Sequence, residues 1–126
     1  MQHIIDTHTF LWFGDRSVRL PVSIRDLIID PDNVTQISIT SFWEIGIKSS
    51  TGKLPLNTGL LELEVIAARP SIEILPITVR GIIAVQQMPL YRKDPFDRII
   101  ATAALVIGSI LLSADTIFDA YGVPRT

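Results

Sequence analysis

At 126 residues the chain is long enough for one hydrophobic core and too short for two, and its 48% hydrophobic content with a mean hydropathy of +0.40 excludes a disordered polymer. The absence of cysteine removes disulfides, thiolate metal sites and thiol nucleophiles. A net charge of −2 at pH 7 and a pI near 5.6 argue against holding nucleic acid through a broad basic face, while leaving room for a local basic rim or a basic partner.

In chain order, His3 to Asp6 reads as a short buried strand and Thr7 to Phe13 as a helix with Phe10, Leu11 and Phe13 on its apolar face. Pro21 opens a second helix that runs to Ile29 and ends in the turn Asp30-Pro31-Asp32-Asn33. Thr35 to Ile39 alternates and is β-branched, so it is a strand; Thr40 or Ser41 then caps a helix to Ser50, stopped by Gly52. Gly59 to Ala68 is helical, Ile72 to Ile77 a strand, and Val79 to Gln87 another helix. Asp94 caps a helix with Pro95 at its first position, running to Gly108. Ile110 to Ser113 is an apolar strand, Thr116 to Tyr121 a helical turn, and Val123 a final edge strand. The stretch Ile99 to Leu112 is broken by Thr102, Gly108 and Ser109 and falls short of the roughly 20 residues of a membrane span, so it reads as a buried helix entering a buried strand. No basic segment with an apolar run and cleavage site opens the chain, and a cytoplasmic protein is expected.

Apolar strands alternating with helices, without linkers or repeats, imply one α/β domain over residues 1–126 with a mainly parallel sheet covered on both faces. Such sheets bind ligands beyond the carboxyl ends of their strands. Asp6 ends the first strand, Asp115 follows the last buried one, Glu44 lies one turn into the helix after Thr35 to Ile39, and Asp97 lies in the first turn of the helix before Ile110. All four can reach one end of the sheet. Carboxylates gathered there cannot all stay ionised without a cation, and an all-oxygen set suits Mg2+, with Mn2+ as a substitute. Such an ion activates water against a phosphodiester and reverses the local sign that would otherwise repel a nucleic acid. No Gly-x-Ser-x-Gly elbow or phosphate-binding Walker loop competes with that reading.

Each acid also has a structural role open to it. Asp6, Asp94 and Asp115 stand where helix caps stand, and Asp97 occupies a capping-box position. Glu44, behind Trp43 on an apolar helix face, has the least structural reason to be there unless it is partnered. Ser113 and Thr116 flank Asp115 and can orient it or a coordinated water. Lys48, Arg92, Lys93 and Arg98 are the cations that can position a nucleic-acid strand. His3 reads as a packed strand residue, His8 as a structural residue at a helix start, and Phe10 and Trp12 as core or dimer contacts.

These segments resemble PIN-domain ribonucleases, and most closely the VapC-type toxins of type II toxin–antitoxin pairs. The likeness runs over nearly the whole chain. It rests on Ile5-Asp6-Thr7-His8, on Ser41-Phe42-Trp43-Glu44-Ile45 with Lys48, on Lys93-Asp94-Pro95-Phe96-Asp97-Arg98, and on Ser113-Ala114-Asp115 with Phe118 and Tyr121-Gly122-Val123. The Trp-Glu-Ile and Asp-Pro-Phe-Asp-Arg runs point to a subgroup of that family. The resemblance implies a three-layer α/β/α sandwich and Mg2+- or Mn2+-dependent cleavage of RNA. It also implies metal binding by Asp6, Glu44, Asp97 and Asp115, a supporting role for Asp94, a homodimer, and a cognate antitoxin that blocks the site.

Two other readings are open. A phosphatase using Asp6 as acyl-phosphate nucleophile would want a second Asp two residues on, where His8 stands. An inert PIN-fold module that binds RNA or protein would not need the intact acid set.

Overall fold

Along a strand, successive side chains point to opposite faces, and β1 (Gln2–Ile5) is dry on both: Ile4 packs into one apolar cluster and Ile5 into another. The computed structural model describes residues 1–90 and 94–126. The short strand β4 (Ile110–Leu112) repeats the split, Leu111 joining the cluster of Ile4 and Leu112 that of Ile5. Together with β2 (Val34–Ser38) and β3 (Glu73–Leu75) they make a four-stranded sheet in the order β3-β2-β1-β4, every pair parallel. Ile5 lies in register with Ile37 on one side and Leu112 on the other.

The helices α1 (Thr7–Gly14), α2 (Val22–Ile29), α3 (Ile39–Ser50) and α4 (Leu60–Ala68) cover one face through Phe10, Leu11, Ile24, Ile28, Ile45 and Leu63. α5 (Val79–Gln87) buries none of its residues and lies against α6 (Pro95–Ile107). The other face is sealed by Ile100, Ala101 and Ala104 of α6 and Phe118 of α7 (Ile117–Ala120). The expected three-layer α/β/α arrangement with a parallel sheet is therefore the observed one. No helix among the described residues is long and apolar enough to cross a membrane.

Three boundaries differ from expectation for local reasons. The cap of α3 is Ser38, whose hydroxyl accepts from the Thr40 backbone N–H at 3.1 Å, so β2 passes into α3 with no loop, and Thr40 and Ser41 lie buried in its first turn. The last extended pairing falls at Arg125 instead of Val123: Leu111 and Arg125 form a parallel bridge, supported by Leu111 N–H to Pro124 O at 2.8 Å and Thr126 N–H to Leu111 O at 2.9 Å. The final turn of α6 carries exposed Leu105, Val106 and Ile107, so the helix expected to be buried is open to solvent at its end.

The topology gathers the acids. Parallel strands end at a common edge, so α1 and α3, which follow β1 and β2, begin there; α6, which returns to feed β4, begins there as well. The chain leaves β1 toward β2 and comes back to β4 on the opposite flank. The crevice between β1 and β4 is thus the switch point at which open parallel sheets take ligands.

Candidate active site

Asp6 stands at that crevice, buried to 6% exposure. It caps α1, its Oδ1 accepting from the Thr9 backbone N–H at 2.9 Å, while Oδ2 accepts from the Ser113 hydroxyl at 2.5 Å. Both donors are neutral. Ser113 in turn accepts from the Asp115 backbone N–H at 3.0 Å, so one hydroxyl ties the residue after β1 to the segment after β4. Asp115 is half-buried, and its Oδ1 accepts from Ile117 N–H at 3.1 Å, the turn-capping role open to it from sequence. Arg125 fastens Ser113 from behind, donating from Nη1 to the Ser113 carbonyl at 2.9 Å and gripping Asp119 with Nε and Nη2 at 2.9 and 3.0 Å. The hydrogen bonds from Arg125 hold the Asp119 carboxyl below the usual range, and the same pair raises the guanidinium above its own.

Glu44 is buried to 3% on α3. Its Oε1 accepts from the Thr7 hydroxyl at 2.5 Å, and its Oε2 forms an ion pair with Lys48 one turn on. Thr7 has one hydroxyl proton, and it belongs to the carboxylate; the Ser41 hydroxyl 3.0 Å away then donates back to Thr7. Thr7 and Ser41 were quoted in the motifs without a role, and the residue following a strand-end acid was the signal for Thr7. Lys48 also reaches Asp94 Oδ2 at 3.2 Å and lies 5.8 Å from the centre of the Phe96 ring, itself braced edge-on by Trp43. Burial pushes the Lys48 ammonium down, but Glu44 and Asp94 outweigh it and leave its pKa raised. Asp94 is a helix cap as well, accepting from Phe96 N–H at 2.9 Å.

Asp97 lies half-buried in the first turn of α6, at the same edge. Arg98 does not face this group: its Nη2 donates to the carbonyls of Val85 and Met88 at 2.8 and 3.1 Å, satisfying the end of α5. Thr116 is exposed and makes no cap bond with its side chain. Arg92 and Lys93, the remaining expected strand-binding cations, lie outside the described residues. His3 is fully buried within β1 with Nε2 2.7 Å from the Thr35 hydroxyl, and burial lowers its pKa; it is a core residue.

The donors at this edge are oxygens throughout, which fits a hard divalent cation and no soft one. Among the described residues, no group of three or more carboxylate or imidazole side chains is placed to hold a metal ion. A groove of about 580 Å³ runs beside α1, lined by His8, Leu11, Trp12, Asp15, Arg19 and Leu56 among others, and none of the four acids faces it. A smaller one of about 270 Å³ reaches Thr9, Ser113 and Arg125.

Comparison with curated proteins by sequence finds no match. Among solved structures, VapBC2 from Rickettsia felis bound to a DNA fragment of its promoter is similar at TM-score 0.72 and 16% identity, over 100% of this chain and 98% of the other. VapBC-1 from nontypeable Haemophilus influenzae gives 0.67 at 16% identity over 100% and 97%, and FitAcB from Neisseria gonorrhoeae gives 0.64 at 19% over 99% and 96%. At these identities the likeness is one of fold. The family model for the PIN domain matches residues 3–124, nearly the whole of the sequence, and the chain belongs to the PIN domain family.

Proposed function

We propose that the chain is a Mg2+-dependent endoribonuclease, the toxin of a toxin–antitoxin pair, cleaving RNA phosphodiesters with an activated water. The observation that carries this reading is Asp6: a buried carboxyl group at the sheet's switch point whose partners among the described residues are the neutral Thr9 N–H and Ser113 hydroxyl. A buried carboxylate without a charged partner is costly, and an ion supplied from solution meets that need. Asp6, Glu44, Asp97 and Asp115 would hold the ion, with Mn2+ able to replace Mg2+. Bound there, it supplies an activated water and positive charge for the leaving oxygen.

The chain's own contributions follow from geometry. Ser113 and Thr7 fix the rotamers of Asp6 and Glu44 by short hydrogen bonds to one oxygen of each. Arg92 and Lys93 are the cations left to steer the RNA strand, since Arg98 is occupied at the end of α5. An antitoxin partner is supported by the similar structures, which include toxin–antitoxin complexes. The apolar side of the groove beside α1, with Leu11, Trp12 and Leu56, is a surface on which a partner segment would fit. A homodimer in the cytoplasm completes the reading, its contact supported by exposed Val79, Ile82 and Ile83 of α5, the helix that lies against α6.

The test is cleavage of a mixed RNA substrate by the purified protein with Mg2+, Mn2+ or a chelator. Asp6→Asn and Asp97→Asn are each expected to lower the rate at least a hundred-fold with the fold intact by circular dichroism. Undiminished cleavage by either variant would overturn the assignment, and a wild-type protein that neither cuts RNA nor binds Mn2+ would be a binding module.

A further inference from the structure

Lys48, one of the cations expected to position a nucleic-acid strand, is engaged within the chain. Its ammonium is held on three sides: by Glu44 Oε2, by Asp94 Oδ2 at 3.2 Å, and by the face of Phe96 with its ring centre 5.8 Å away. Each of these holders is itself fixed. Glu44 is locked through Oε1 by Thr7, Asp94 caps α6 at Phe96, and Phe96 is wedged against Trp43. The pair also has the favourable helical sense, with the acid four residues before the base. The ammonium side chain retains 29% exposure whereas the Glu44 side chain keeps 4%, so the lysine can leave toward solvent and the carboxylate cannot.

With Oε1 taken by Thr7, the outer oxygen of Glu44 is the one left to face a cation, and Lys48 is already on it. A divalent ion and an ammonium sharing one carboxylate oxygen in a partly desolvated site repel each other strongly. Without either, Glu44 would be a buried uncompensated charge. We propose that Lys48 is a built-in counter-ion that competes with the divalent cation for Glu44, so that the protein holds its own acid site together and binds metal more weakly because of it. This rests on the metal-site reading above.

The experiment is a calorimetric titration of Mn2+ into the whole chain, paired with thermal melts with and without saturating Mn2+. Lys48→Met is expected to bind Mn2+ about ten-fold more tightly than wild type, to melt lower than wild type without Mn2+, and to gain more from it. Lys48→Arg, which keeps the charge and can grip Glu44 with a fork, is expected to bind no tighter than wild type. Lys53→Met removes an equal charge from an exposed position past the end of α3 and is expected to change Mn2+ affinity by less than two-fold, which separates competition from net charge. Should Lys48→Met fail to fold, Lys48→Gln keeps a hydrogen-bond donor for Glu44 without the charge and is expected to tighten binding in the same direction. Wild-type binding with no gain in Lys48→Met or Lys48→Gln overturns the competition and leaves the metal site standing. Binding by neither wild type nor the lysine variants overturns the metal site, and the competition with it.

Discussion

A buried carboxylate needs donors, and Glu44 shows how far the sequence discloses them. That Glu44 required a partner was legible from its place behind Trp43 on an apolar face; that the partner is Thr7 was not, because the contact spans 37 residues and is set by how α1 and α3 pack. Ser113 was expected to orient Asp115 or a coordinated water; its hydroxyl instead donates to Asp6 while accepting from the Asp115 backbone N–H, a link across the sheet that spacing alone does not disclose. Arg98 was misread since nearness to acids in sequence does not say which way a helical side chain turns, and it turns to the carbonyls of α5. The role of Thr7 is open to a direct measurement. Thr7→Val keeps the shape and removes the hydroxyl, leaving one buried oxygen of Glu44 without its donor, at a cost of about 1–3 kcal/mol. Thr7→Ser restores the donor. Urea denaturation is expected to show Thr7→Ser within 1 kcal/mol or so of wild type and Thr7→Val well below it; equal stabilities for the two would mean the bond contributes nothing.

Among the elements, the sequence was most informative where a cap and a stop bracket a periodic run. α6 illustrates this: Asp94 caps it, Pro95 opens it and Gly108 ends it in the left-handed region at φ 75°. α3 is the counter-example. Three hydroxyl residues, Ser38, Thr40 and Ser41, stood near its start, and which of them caps it depends on where β2 releases the sheet, a tertiary fact. The same dependence moved the last pairing from Val123 to Arg125. Glycines in these two helices yield opposite expectations for one substitution. At Gly108 an added Cβ meets nothing within 4 Å, so the cost of Gly108→Ala is that of the left-handed backbone alone, about 1 kcal/mol. At Gly46, inside α3, the added Cβ comes to 3.5 Å from Leu60 Cδ1, an ordinary contact, and Gly46→Ala is expected to stabilise by about 0.5–1 kcal/mol. Thermal melts of the two variants check this: the midpoints should move in opposite directions, and a common sign would refute the assignment of one of the two backbones.

For the whole molecule, buried strands alternating with helices were enough to specify a parallel sheet with both faces covered, and hence a single edge at which Asp6 follows β1, Asp115 follows β4, and Glu44 and Asp97 stand in the opening turns of α3 and α6. The strand order was not legible, because parallel alternation is compatible with several orders; the choice that puts β4 beside β1 is made by the second cluster, where Ile4 and Leu111 share a face with α6. That order brings Ser113 to Asp6 across 107 residues and creates the switch-point crevice. Charge at this scale makes a last prediction. With a net charge of −2, and with Lys48 and Arg98 both engaged internally, only Arg92 and Lys93 of the four expected strand-positioning cations remain to neutralise phosphates. A protein making 6–10 phosphate contacts loses about 10³–10⁵ in affinity between 50 and 200 mM salt, whereas one or two contacts on a single strand, at about −0.7 per contact on a logarithmic scale, cost less than about ten-fold. If the ion carries most of the attraction for RNA, kcat/KM at fixed Mg2+ should fall by less than about ten-fold over that KCl range. It should instead depend steeply on Mg2+ at constant ionic strength, because on that proposal the ion would set the sign of the acidic edge. A loss of a thousand-fold or so with KCl alone would show a broad cationic surface at work, and RNA recognition would then belong to that surface and not to the carboxyl edge of the sheet.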